Sequence, residues 1–287
     1  MVQASDAVRP GGDPAEAVRA LIDREGGAVF AFSLRLCGNR ADAEDLTQET
    51  FLQAFRRWET FQGRSSARSW LFTIATRLCR RMRRKRSGEP DRIGSLEDLL
   101  PFGEPRIAAL YEEQEDALQE QVRREAIEGV EEAIAGLPDE FRIPLELKDI
   151  AGFSAPEVAA ALDMEEGTVK SRVHRARLRV RQAVDRALPR SEGEAPPPSY
   201  SKQVCLDLLR SKQEALDRGA PFRDEVICDR CRSVFASMDL AADVCRELGR
   251  GVLPADLRER VLAAATGDGE ASGDGGSARA SAGPGAP

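Results

Sequence analysis

Histidine is all but missing from this sequence: His174 stands alone among 287 residues, which excludes multi-histidine metal centres. No GxxxxGKS/T loop, GxGxxG turn or GxSxG elbow occurs, so nucleotide-binding and hydrolase chemistry lose their usual entry points. His174 has no visible partner acid and nucleophile, and a non-enzymatic protein is expected. No stretch approaches the ~18 apolar residues of a membrane span, and the residues after Met1 lack the apolar run of a signal peptide. A cytoplasmic protein without membrane contact is the expectation. Runs of β-branched residues are scarce while apolar residues recur at helical spacing, so the expected fold is all-α.

What the chain does have is charge in blocks. Its 42 cations and 49 acids sum to a formal −7, yet residues 77–86 carry seven cations and no acid. Residues 111–132 hold nine acids against Arg123 and Arg124, and from Lys170 to Arg190 eight cations meet one acid, Asp185. Two basic surfaces flanking an acidic connector suit two contacts with one polyanion. The connector reads equally well as a mimic of that polyanion or as a solvated helix.

Breaks in the pattern divide the chain. A flexible N-terminus (1–14) leads into a helical block (15–90), and a Gly-, Pro- and Asp-containing stretch opens an acidic linker (91–125). A second helical block (126–190) ends in a Pro-rich linker (191–200). A cysteine-rich segment (201–265) precedes a Gly-, Ala- and Ser-rich tail (266–287) that cannot form a core.

In the first block, Ala43, Leu46, Thr50, Ala54 and Trp58 recur every three or four residues, with Asp42, Asp45 and Glu49 on another face. The polar loop Gln62-Gly63-Arg64-Ser65-Ser66 then separates Trp58 and Phe61 from a helix bearing Trp70, Ile74 and Leu78 on one stripe. Arg77, Arg80, Arg81 and Arg84 on that helix can reach phosphates. The aromatics beside the loop could stack on an unpaired base or fill a small helical core; both uses fit. This string, AEDLTQETFLQAFRRWETF followed by SWLFTIATRLCRRMRRK, resembles the promoter-opening domain of an extracytoplasmic-function (ECF) sigma factor of bacterial RNA polymerase. The resemblance implies that Asp45, Gln48, Glu49 and Phe51 face core RNA polymerase. It also implies that the loop from Phe61 through Gln62, Arg64 and Ser65, with the helix from Ser69 to Arg84, reads the separated −10 strand.

The second block carries an independent signal. Ser154 and Glu157 form an S-x-x-E capping box, and Val158, Ala161 and Leu162 give a short apolar face. After the turn DMEEG, a helix sets Val169, Val173, Ala176, Val180 and Val184 opposite Lys170, Ser171, His174, Arg175, Arg177 and Arg181. A capped helix, a tight turn and a helix with a cationic face make a helix-turn-helix. Its early residues Lys170, Ser171, His174 and Arg175 are placed for base edges or nearby phosphates, and its later arginines for phosphates. GTVKSRVHRAR resembles the −35-reading domain of the same sigma family, which adds Thr168 and Arg172 to the DNA-facing set. In that family the connector threads through polymerase channels.

Four of six cysteines follow position 200, and without an export signal they read as thiols or metal ligands before disulfides. Asp224, Cys228 and Cys231, at i, i+4 and i+7, share a helix face, and Cys205 on a neighbouring helix would complete a tetrahedral site for Zn²⁺ or another thiophilic metal. Zinc-binding anti-sigma proteins use a similar pattern with histidine where Asp224 stands, and the layout also resembles metal-responsive sigma factors. A small core with reactive thiols is the other use of these residues. Cys245 lies 14 residues beyond Cys231, ~21 Å along a helix, and ranks as a secondary ligand. Cys37 and Cys79 read as buried thiols.

The reading that unites these features is a promoter-specific initiation factor whose partners are core RNA polymerase and −10 and −35 promoter DNA. The C-terminal segment would regulate it in cis by contacting the sigma domains, and a separate anti-sigma factor is compatible with this reading. The alternative is a helix-turn-helix regulator that binds duplex DNA without polymerase.

Overall fold

Residues 8–83, 93, 95–104, 106, 116–190, 194–223 and 227–266 are described by the structure, a computed structural model. Residues 1–7 of the expected N-terminal tail, residues 267–287 of the C-terminal one, Arg84 and Asp224 lie outside these residues. Every regular element among the described residues is helical, and no described helix is long and apolar enough to cross a membrane.

Helix α1 (Pro14–Cys37) starts where the Asp13 side chain accepts the Glu16 N–H, with proline in the first turn, and stops at Gly38 in the left-handed region. Asn39 likewise caps α2 (Arg40–Arg56) by accepting the Asp42 N–H. With α3 (Ala67–Arg83) these helices bury Leu21, Phe32, Leu46, Phe51, Trp58, Leu71 and Phe72. Short α4 (Leu96–Leu99) and a 3₁₀ turn at Pro101–Gly103 belong to the linker.

Helix α5 (Asp116–Ala135) runs unbroken across position 125/126, where the sequence placed the end of the acidic linker. Val122, Ala126, Val130 and Ile134 lie on one face and pack it on the later basic helix, while Glu120, Glu125, Glu128, Glu131 and Glu132 stay exposed. From Glu120 onward these acids lie on an exposed helix face, which either use of the connector accommodates. Helix α6 (Asp139–Leu145) contains Pro144, which has no N–H to donate, and the next turn, Glu146–Ile150, widens to π geometry. Helix α7 (Ala155–Leu162) carries the Ser154–Glu157 capping box, and Asp163, at φ 53°, turns the chain into α8 (Glu166–Ala187).

The cysteine-rich segment forms α9 (Lys202–Arg218), α10 (Asp229–Leu248) and α11 (Ala255–Thr266). It builds no core of its own. Leu209, Cys231, Val234, Phe235 and Met238 enclose Leu178 of α8 and Leu99 of the linker. Farther along, Ala241, Val244 and Cys245 of α10 and Leu257, Val261 and Ala265 of α11 join the main core with both preceding blocks. Helix α10 therefore packs on α5, α8 and the π turn, and α11 on α1 and α2.

Candidate nucleic-acid interface and cysteine cluster

On α3, Arg77, Arg80 and Arg81 are exposed, as are Gln62, Arg64 and Ser65 in the preceding loop. This cationic edge is available to a phosphate backbone. Phe61 is buried instead: its ring centroid lies 5.2 Å from Trp58 and 5.3 Å from Trp70, in an aromatic triad. Of the two uses open to it, Phe61 fills the core in this conformation. Phe51, assigned by resemblance to polymerase, is also fully buried, because it points from α2 into the first core while Asp45 stays exposed and Gln48 and Glu49 half-buried. Helix α11 lies beside this ridge, with Arg260 Nη2 2.5 Å from Glu44 Oε2.

The basic helix α8 divides into two parts. At its N-terminal end Thr168, Lys170 and Ser171 are exposed, with Lys170 2.7 Å from Glu166. Arg172 lies 3.2 Å from Glu140, and Arg175 stacks 5.2 Å from the centroid of Phe141, so both are half-buried. One turn on, His174 Nε2 is 2.9 Å from Asp217 of α9. Arg177 donates twice to Asp149 at 2.7 Å, and its Nη1 lies 2.8 Å from Asp217. Arg181 is buried between Asp185 and Glu104, the latter at 2.5 Å. Arg177 and Arg181 were expected on phosphates; here they face inward, because carboxylates from the π turn, the linker, α8 itself and α9 meet them, while Arg186 and Arg190 stay exposed.

Asp217 is partly desolvated, which raises its pKa, yet His174 and Arg177 together hold the carboxyl below its ordinary range. Lys148 Nζ also donates to the Asp217 carbonyl, and Lys170 faces it across the surface. A carboxyl depressed in the folded form contributes above its unfolded pKa and stops contributing as pH falls through the folded one. Docking of α9 on α8 is therefore expected to persist at neutral pH and loosen below about pH 4. Hydrogen exchange along α9 across that range measures it, and Asp217→Asn is expected to remove most of the dependence.

The two basic modules also touch directly. Ser69 of α3 donates to Glu157 of α7 at 2.7 Å, Phe72 meets Phe153 at 5.1 Å, and Arg68 lies 5.2 Å over Phe153. Deeper in, Arg35 of α1 pairs with the buried Glu146 of the π turn at 2.8 Å and donates to the Leu248 carbonyl at 2.9 Å. Burial drives the Glu146 carboxyl up, with Arg35 and Arg142 opposing. Neither Arg35 nor Glu146 stands out in the sequence. Gly26-Gly27 inside α1 and Gly249 and Gly251 after α10 were the available signal. Gly27 and Gly251 approach so closely that a Cβ on either would collide with the other's carbonyl.

Cys205, Cys228 and Cys231 form no disulfide and come within electrostatic reach of one another. Burial first, then Cys228 and Cys205, push the Cys231 thiol up to about 12; burial and Cys228 also raise Cys205. Cys228, the N-cap of α10, is desolvated too, but backbone N–H groups of Ser199, Cys231 and Arg230 bring its thiol down. Among the described residues no group of three or more His, Cys, Asp or Glu side chains is arranged to hold a metal ion. The expected four-donor site is thus not assembled: three soft sulfurs converge from two helices, and the fourth donor, Asp224, lies outside the described residues. In kind, the sulfurs fit a thiophilic ion. Cys245 is fully buried in the main core near Asp149 and Glu146, apart from this cluster, and Cys37 and Cys79 are buried as expected.

Comparison with known proteins gives two family matches, sigma-70 region 2 over residues 21–89 and sigma-70 region 4 over residues 127–180. The chain is 39% identical to the ECF RNA polymerase sigma factor SigE of Mycolicibacterium smegmatis over 58% of its own length and 59% of that protein. It is 34% identical to SigL of Mycobacterium tuberculosis over 55% of its length and 84% of that protein. To SigW of Bacillus subtilis it is 31% identical over 58% and 88%. Among solved structures, the sigma factor RpoE of Bartonella quintana in complex with the anti-sigma factor NepR aligns with a TM-score of 0.38 at 26% identity, over 60% of this chain and 91% of that one.

Proposed function

Because this chain belongs to the ECF RNA polymerase sigma factors, we propose that it binds core RNA polymerase, directs promoter-specific initiation and is held in check by its own C-terminal segment. The observation that carries the cis regulation is that this one segment seats on both DNA-reading modules. Helix α9 meets the DNA-facing helix α8 through Asp217, and α11 lies along α2 beside the polymerase-facing ridge. Elements named for positions 10 and 35 bases upstream lie about 25 base pairs apart, or about 85 Å at about 3.4 Å per pair. Modules joined through Ser69–Glu157 and Phe72–Phe153 contacts cannot span that distance, so engagement of both elements requires opening.

Within this proposal Cys205, Cys228 and Cys231, with Asp224 as fourth donor, would hold Zn²⁺ or another thiophilic ion. Such an ion supplies a cross-link between α9 and the start of α10. Supporting it are the soft donor set and the proximity of the three sulfurs. Run-off transcription with purified core polymerase and the full chain, with and without added metal, tests the reading. A promoter-specific product is expected, its yield changing with metal. No product under either condition, nor from the full chain carrying Gly27→Ala, overturns the initiation activity, while a metal-insensitive product overturns only the metal control.

A further inference from the structure

Arg230 sits inside the C-x-x-C turn, between Cys228 and Cys231, and its side chain belongs to neither core. It is 6% exposed, and its hydrogen bonds among the described residues all go to backbone carbonyls. Nε donates to Pro196 in the Pro-rich linker at 2.9 Å. Nη1 reaches Pro101 at 3.2 Å and Phe102 at 3.1 Å, and Nη2 reaches Glu104 at 2.9 Å. One guanidinium thus ties together both linkers of the chain. A planar fork with five donors can do this; an ammonium cannot.

The same linker segment continues the connection. Glu104, whose carbonyl Arg230 holds, gives its carboxylate to Arg181 of α8. Leu99, two residues before Pro101, is buried against Leu178 of α8 and Cys231. Sulfur cluster, Arg230, linker and basic helix are therefore in unbroken contact. Cys228 and Cys231 bound the turn that carries Arg230, so a movement of their sulfurs moves the base of the guanidinium.

Resting on the cis-regulatory reading above, we infer that Arg230 is the positioning residue through which the chemical state of the cysteine cluster reaches the inter-module linker. Ligation or substitution at Cys228 and Cys231 rearranges that turn, and with it the position from which Arg230 reaches the linker carbonyls. The carbonyl contacts at 101–104 loosen in response, and with them the linker's hold on α8.

Hydrogen exchange of the full chain tests this through a double-mutant cycle of Cys228→Ser and Arg230→Gln, read at the amides of residues 99–104. Cys228→Ser alone is expected to speed exchange there about fivefold, a coupling on the order of 1 kcal/mol, and to add nothing in the Arg230→Gln background. Arg230→Lys, which keeps the charge but not the fork, is expected to behave like Arg230→Gln. Amides of α1 serve as the folding control and should not move. In a parallel arm Cd²⁺ is the probe: thiolate absorbance is expected in both backgrounds, but faster exchange at 99–104 only with Arg230 present. Additive effects in the cycle, or a Cd²⁺ response that survives Arg230→Gln, overturn the inference. If Cd²⁺ gives no thiolate absorbance, metal binding is what fails, and the cycle still decides the role of Arg230.

Discussion

Gly27→Ala should raise promoter-specific transcription by the full chain about tenfold while lowering its melting temperature. In a helix with a free face this change stabilises by roughly 0.5–1 kcal/mol, because alanine is the better helix former. Gly27 has no free face. A Cβ there would collide with the carbonyl of Gly251, and one on Gly251 would meet the carbonyl of Gly27 and the side chain of Ala31. Gly249 is equally close to the Ile150 carbonyl, so the segment after α10 lies backbone against backbone on α1 and on the π turn. No side chain can yield at such contacts, and the segment must move. Overpacking of this kind costs about 1–3 kcal/mol, and each ~1.4 kcal/mol is tenfold in the balance between docked and undocked forms. Exchange at residues 249–254 should rise with the transcript yield. A variant that transcribes like the parent, with unchanged exchange, would show that this segment does not restrain the modules. Gly251→Val should act in the same direction, since it adds bulk from the other side of the contact.

The packing of the C-terminal segment was harder to read from sequence than the modules it packs on. The Ser154–Glu157 capping box and the valine seam of α8 are local patterns, and the structure has both. The cationic character of α8 was equally plain, but its use was not. Arg177 looks like a phosphate contact until Asp149, 28 residues earlier, and Asp217 of a later helix are brought against it. Arg181 depends on Glu104, 77 residues away. Helical periodicity says which face a side chain occupies but not which distant element covers that face. The same limit applies to Phe51 and Phe61: motif position suggested contact with polymerase and DNA, and the aromatic packing of a small helical core took precedence. Among the cysteines, the spacing that groups Cys228 with Cys231 is local and their proximity to Cys205 follows it, whereas the placement of Cys245 in the main core needed the tertiary structure.

Arg35→Ala should be the most damaging single substitution at the junction of the three segments. Arg35 reaches from α1 to the Glu146 carboxylate on the π turn and to the Leu248 carbonyl at the end of α10. Glu146 is fully buried, and burial has already moved its carboxyl upward against the pull of Arg35 and Arg142. Removing the guanidinium leaves that carboxylate with Arg142 alone, and breaking a buried pair in this way costs about 3–5 kcal/mol. For a chain of this size the melting temperature should fall by about 10 °C. The pH dependence identifies the cause. A carboxyl whose pKa is higher in the folded than in the unfolded form costs stability when ionised, and that cost is relieved as pH falls. The deficit of Arg35→Ala relative to the parent should therefore be larger at pH 8 than at pH 5, where the orphaned Glu146 takes up a proton. Glu146→Gln, which puts a neutral amide where the carboxylate was, should remove this pH dependence when combined with Arg35→Ala. A deficit equal at both pH values would mean that Arg35 acts through its bond to Leu248 and through packing, and that the Glu146 charge does not hold the modules together.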